Sequence, residues 1–132
     1  MAVVIDGKKM AQEIRHELKV KGTRLKQETG ITPGLGVILV GEDPASQIYL
    51  RHKENACKDV GFYSREFRLP QETLESALLS VIQELNQDTR IHGILVQLPL
   101  PRHLNSATII EAINPQKDVD GFHPYNLGRL FT

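Results

Sequence analysis

Three observations predict an α/β domain of three layers, a mostly parallel sheet flanked by helices. Short apolar runs bounded by glycine or proline alternate with segments of helical period. Two of those runs, residues 35–40 and 94–96, show no polar alternation, as expected of parallel strands buried on both faces. The length of 132 residues suits one domain and leaves little room for two.

The elements follow in order. A helix is predicted over residues 7–27, where Met10, Ile14 and Leu18 recur every four residues among Lys, Gln, Glu and Arg; Gly30 and Pro33 end it. Residues 35–40 form the first buried strand. Asp43-Pro44 opens a second helix, since aspartate caps free backbone N–H groups and proline fits the first helical position. This helix runs to residue 59 and stops at Gly61. Residues 62–68 alternate apolar and polar, as a strand nearer the sheet edge does, and Leu69-Pro70 breaks it. Leu74, Ala77, Leu78, Val81, Ile82 and Leu85 form the stripe of a third helix over residues 72–86. Residues 94–96 are a further buried strand stopped by Pro99 and Pro101, and Asn105 caps a short helix through Ile113. Residues 114–132 carry Pro, Gly and Asp punctuation but no period, so pattern fixes this tail least.

Composition narrows the function. Hydrophobic residues make up 40% and charged residues 24%, so a core is expected and wholesale disorder is not. Sixteen Lys+Arg cancel sixteen Asp+Glu, without the positive excess of a duplex nucleic-acid binder. The basic stretch at residues 19–26 alternates with apolar residues and reads as a solvated helix face. A single cysteine, Cys57, excludes an internal disulfide framework and a zinc site built on several thiolates, and it fits a reducing compartment. Residues 1–10 hold only a short apolar patch before Asp6, which is no secretory signal. The longest apolar run, residues 34–41, is far short of the ~18 residues of a membrane span. The expectation is a soluble intracellular domain with neither nucleic acid nor membrane as partner.

Ligands of open α/β sheets gather beyond the carboxyl ends of the strands. Residues 41–49, 97–101 and 117–121 lie at or past such ends. The first two converge on local pattern; placing the third needs the topology. On the second helix, at about 100° per residue, Ala45, Tyr49, Lys53, Ala56 and Val60 share one face, opposite Arg51, Glu54 and Lys58. Lys53 thus sits in an apolar stripe. Either it snorkels outward along its own stem, or it is held in a pocket with lowered proton affinity, suited to general acid/base work. Tyr49, one turn earlier, shares its surface. Gln97 ends a strand, either satisfied by loop backbone or placed to hydrogen-bond an amine or a ligand. Asp118 and Asp120 flank Val119 ahead of Gly121; alternate residues of an extended segment point opposite ways, so at most one faces a site.

Several patterns fail. A calcium loop starting at Asp118 wants glycine sixth and glutamate twelfth, where His123 and Arg129 stand. Gly34, Gly36 and Gly41 miss the dinucleotide fingerprint because Leu39 takes the third glycine's place. The five histidines show no metal spacing. Tyr49 and Lys53 fit the Tyr-x-x-x-Lys pair of short-chain dehydrogenases, yet Asp6-Gly7-Lys8 is not that family's glycine-rich turn.

Taken together, the segments resemble a different family. Val40-Gly41-Glu42-Asp43-Pro44-Ala45-Ser46-Gln47-Ile48-Tyr49 with Lys53 is similar to one signature of methylenetetrahydrofolate dehydrogenase/methenyltetrahydrofolate cyclohydrolase. Gly93-Ile94-Leu95-Val96-Gln97-Leu98-Pro99-Leu100-Pro101 resembles its second. Ile113-Asn114-Pro115-Gln116-Lys117-Asp118-Val119-Asp120-Gly121-Phe122, Asn126 and Gly128-Arg129-Leu130 continue the likeness, as does Ile5-Asp6-Gly7-Lys8 at the start. The resemblance implies an enzyme of one-carbon metabolism and purine biosynthesis. Such an enzyme oxidises 5,10-methylenetetrahydrofolate with NADP and hydrolyses the 5,10-methenyl product to 10-formyltetrahydrofolate. It further implies Lys53 as general acid/base, Gln97 as the amide orienting it and Tyr49 as a ring stacked on the folate. Asp120 would bind the pterin ring, with Ser46, Leu98 and Pro99 in neighbouring pocket positions. The parent enzyme is expected to be cytoplasmic and homodimeric. Residues 1–132 match only its folate-binding catalytic domain. The nicotinamide-binding Rossmann-type domain is expected to be absent from this chain, leaving it without dehydrogenase activity, with no cofactor-binding residue and as a monomer. A folate-binding module without turnover is the alternative.

Overall fold

The computed structural model describes residues 2–132. Its elements are α1 (Gly7–Thr29), β1 (Gly34–Val40), α2 (Pro44–Val60), β2 (Tyr63–Leu69), α3 (Glu75–Gln87), β3 (Gly93–Val96), α4 (Ser106–Ala112), a 3-10 turn (Pro115–Lys117) and α5 (Pro124–Arg129). The three strands form one all-parallel sheet in the order β2-β1-β3. In its register Ile38 of β1 lies between Phe67 of β2 and Val96 of β3.

Alternation along β1 builds two cores. Ile38 and Val40 face α3 and α4, joining Leu78, Ile82, Leu85, Ile94, Val96 and Ile109. Val37 and Leu39 face the other way and pack with Leu95 beneath Leu50 of α2. Helices on both sides of a parallel sheet give the three layers expected. Leu78, Ile82 and Leu85 are fully buried at helical spacing, each stabilising the fold by roughly 2 kcal/mol relative to exposure. Asp43 and Asn105 cap α2 and α4 by accepting from Ser46 N and Thr108 N.

Four details differ from the sequence reading. The apolar stripe of α1 is not covered: Met10, Ile14 and Leu18 are 48%, 51% and 39% exposed, and no residue of this helix is buried. Its inward side is instead the line of Ala11, Arg15 and Gly22, where Gly22 lies against the Phe62 ring. The buried stripe of α2 is Ser46, Leu50, Cys57 and Val60, so Ala45 and Tyr49 fall outside it. Leu50 and Cys57 together bury more apolar surface than the alanines, and they set the rotation of the helix. Lys53 keeps its place within the stripe, half-buried, while Glu54 turns towards β2 and pairs with Arg68 at 3.7 Å. Helix α3 starts at Glu75 rather than residue 72, because the Thr73 hydroxyl and backbone N–H both bond back to Pro70 O in a turn. The tail is ordered locally, His123 and Pro124 starting α5 as N-cap and first residue.

Candidate active site

Lys53 and Gln97 meet at the carboxyl end of the sheet. Gln97 is carried just beyond β3, its backbone N–H donating to Ile38 O at 2.9 Å. Lys53 projects from the third turn of α2. Its Nζ donates to Gln97 Oε1 at 2.6 Å, and Gln97 Nε2 donates to Leu98 O at 3.3 Å. Lys53 is half-buried, with its amine engaged by the Gln97 side chain. A carboxamide oxygen is a neutral acceptor, so Gln97 takes this hydrogen bond without placing a charge against the lysine.

The third segment joins through topology. A single parallel bridge between Ile94 and Asp118 lays residues 117–121 along the outer edge of β3. Gly93 makes the approach possible: a Cβ at that position would lie 2.5 Å from Val119 Cγ1. Asp120 is thereby brought within electrostatic reach of Lys53. Burial pushes the Asp120 carboxyl up from its ordinary value, the Asp118 charge adds to this, and the Lys53 ammonium opposes it. Asp118 turns away into its own loop, where burial is outweighed by hydrogen bonds from Asn126, His123 and Gly121 that hold its carboxyl down.

The remaining residues sit around this centre. Tyr49, 57% exposed, stands one turn before Lys53 at the rim of α2. Ser46 is buried at the first turn of the same helix. Leu98 is half-buried and Pro99 exposed, joined by a cis peptide. Gly41, at φ +91°, turns the chain from β1 into the capped start of α2. Lys53 also lines an apolar trough of about 460 Å³ on the α2 side of the sheet, with Leu35, Ala56, Val60, Gly93 and Val119. A cavity of about 540 Å³ at the amino end of the strands, by Phe62, Tyr63 and Arg90, shares Phe62 and His92 with that trough.

The sequence reading did not find Lys117, Asn86 or the use of Asp118. Lys117 Nζ donates to Leu85 O, Asn86 O and Asp88 O at 3.1, 2.8 and 3.1 Å, closing the end of α3. Asn86 donates to Ala112 O and accepts from Asn114 N. Such contacts leave no periodicity; the one available signal was the aspartate three residues before Gly121, a turn-forming spacing. No cluster of three His, Cys, Asp or Glu side chains among the described residues is arranged to hold a metal. The β1–α2 turn does not fit a dinucleotide pyrophosphate either, since Glu42 stands there and the Asp43 carboxylate already takes Ser46 N–H at 2.8 Å. No helix among the described residues is long and apolar enough to cross a membrane.

A lysine, its amide partner and a carboxylate converge at the end of a parallel sheet where small-molecule ligands of such folds gather. The family model of the tetrahydrofolate dehydrogenase/cyclohydrolase catalytic domain matches residues 5–120. The bifunctional protein FolD of Geotalea daltonii is 58% identical over 130 residues, which are 98% of this chain and 46% of that protein. The crystal structure of the bifunctional enzyme FolD from Campylobacter jejuni superposes with a TM-score of 0.91 at 48% identity, over 95% of this chain and 44% of that one. The FolD of Trypanosoma brucei, solved with NADP and an inhibitor, gives 0.95 at 38% identity, over 98% and 44%. The chain belongs to the tetrahydrofolate dehydrogenase/cyclohydrolase catalytic-domain family, and it spans about half the length of the curated relatives it matches.

Proposed function

We propose that residues 1–132 are the folate-binding catalytic domain of an enzyme that oxidises 5,10-methylenetetrahydrofolate with NADP and hydrolyses 5,10-methenyltetrahydrofolate to 10-formyltetrahydrofolate. The observation that carries this is the 2.6 Å bond from Lys53 Nζ to Gln97 Oε1, with Asp120 within electrostatic reach of the lysine. In the hydrolysis a water adds to the one-carbon unit between N5 and N10. Lys53, as amine, takes one proton of that water; as ammonium it returns a proton to N5 while the N5–carbon bond breaks. The remaining hydroxyl proton of the adduct leaves to solvent as the formyl C=O forms, so that hydrolysis of the cation releases one proton. Gln97 keeps the amine aimed through both steps. The Asp120 carboxylate accepts hydrogen bonds from the amino and ring N–H groups of the pterin, and the Tyr49 ring stacks on it. Leu98, Pro99 and Ser46 complete that wall. The nicotinamide step is assigned to the whole protein, since this chain spans about half the length of the relatives it matches and its β1–α2 turn does not suit a pyrophosphate. The whole enzyme is cytoplasmic, homodimeric and a supplier of one-carbon units to purine biosynthesis.

A second reading, binding without turnover by these residues, is favoured by the exposure of Tyr49. Hydrolysis of 5,10-methenyltetrahydrofolate above the buffer rate, without nucleotide, separates the two. The expected outcome is turnover that Lys53→Met lowers by about 10²-fold or more with the fold kept. Undiminished turnover in Lys53→Met overturns the role of the lysine. Tight folate binding with no turnover selects the second reading.

A further inference from the structure

We propose that Asp118 is a positioning residue, touching no ligand itself but fixing the loop that presents Asp120 towards Lys53. This rests on the folate reading above, because it concerns how the pterin-binding carboxylate is held. Asp118 Oδ1 accepts from Gly121 N at 3.1 Å; Oδ2 accepts from His123 N at 2.8 Å and from Asn126 Nδ2 at 3.0 Å. The donors at 121 and 123 follow Asp120 in the chain and Asp118 precedes it, so one carboxylate gathers both sides of the segment. Asn126 also donates to Pro115 O at 2.8 Å, tying α5 to the start of the same segment.

The base of this bracket is fixed in turn. Asp118 pairs with Ile94 of β3, and the neighbouring Lys117 is anchored in three carbonyls at the end of α3. The two carboxylates, two residues apart, therefore have divided roles. Asp118 accepts three hydrogen bonds from its own loop, whereas Asp120 is exposed and feels the charges of Lys53 and Asp118. An aspartate is needed at 118 because its two oxygens meet three N–H donors. Asparagine offers one acceptor oxygen and turns an NH2 group against the others.

The test is a double-mutant cycle read by calorimetric titration of the 132-residue chain with 5-formyltetrahydrofolate, a stable reduced folate. Asp120→Asn weakens binding, and Asp118→Asn weakens it by about tenfold, since a displaced binding group loses affinity steeply with distance. In the Asp120→Asn background, Asp118→Asn has no further effect; a purely structural role would add its loss in either background. Circular dichroism checks that each variant folds. If Asp118→Asn does not fold, Asn126→Ala is read in the same cycle, removing one donor and leaving the charge, with an expected loss of about fivefold. Full affinity in Asp118→Asn or Asn126→Ala beside a weakened Asp120→Asn overturns this inference alone, as does a loss that persists in the Asp120→Asn background. No binding by the unsubstituted chain, or full affinity in Asp120→Asn, overturns the folate reading and this inference with it.

Discussion

The two ends of the chain are held in opposite ways. Helix α1 runs 23 residues with a regular apolar repeat, yet none of its residues is buried and its Met10–Ile14–Leu18 stripe faces outward. The segment after Ile113 has no repeat at all, yet it is fastened by Asn86, Lys117 and Asp118 through side-chain bonds to backbone groups. Amphipathic period forecasts a helix but not what covers its face. Polar anchoring forecasts nothing in the sequence pattern and still decides where the Asp120 loop sits. The proposed site uses both kinds of support, Lys53 from a packed helix and Asp120 from an anchored loop.

The sharpest way to break this contrast is at Lys117. Replacing it with methionine keeps the length of the stem but removes three hydrogen bonds from an ammonium to the end of α3. Urea unfolding should show a loss of about 2–3 kcal/mol. A loss below about 0.5 kcal/mol would mean the tail is held by something other than this anchor.

A smaller effect, with a pH signature, is expected at Asp88, whose carbonyl is one of the three that receive Lys117. Hydrogen bonds from the Arg90 guanidinium and backbone, with Arg65 adding its own, lower the Asp88 carboxyl to about 2. A carboxyl held below its unfolded value of about 3.9 stabilises the fold above that value and loses the effect as pH falls towards about 2. Asp88→Asn should therefore be less stable than the parent chain at about pH 6, and the gap should close in acid. A gap that stays constant across that range would assign the loss to packing instead.

The smallest effect sharpens the other half of the comparison. Ile14→Gln, on the exposed stripe of α1, should change stability by no more than about 0.5 kcal/mol in the same urea assay. A loss above about 1.5 kcal/mol would show that this stripe is covered in solution.

Much of the architecture was legible because it rests on period and punctuation. The apolar run of β1, the stripe of α3 and the caps at Asp43 and Asn105 each depend on neighbours in sequence. The site was legible in part. Lys53 stood out as a charge in an apolar stripe even though the rotation of α2 was read from the wrong partners, because Leu50 and Cys57 outweigh Ala45 and Tyr49. Gln97 was visible as a polar end to a buried strand. Asp120 was not placeable from local pattern. Its position depends on a one-residue bridge to Ile94 and on the missing side chain of Gly93, contacts across more than twenty residues.

The position of β2 at the rim of the sheet has a consequence for how crowded copies of the chain behave. Its outer backbone edge is unpaired among the described residues, and such an edge can template pairing with another molecule. This strand is studded with charge. Arg65 is bridged to Glu84 and Asp88 on one side of the sheet, and Arg68 joins Glu66 and Glu54 on the other. A foreign strand docking there would have to strip water from these networks on both faces. Charge along an exposed strand edge is one of the devices that blunt edge-to-edge pairing, and the ion pairs of β2 set such charge on both faces of this edge.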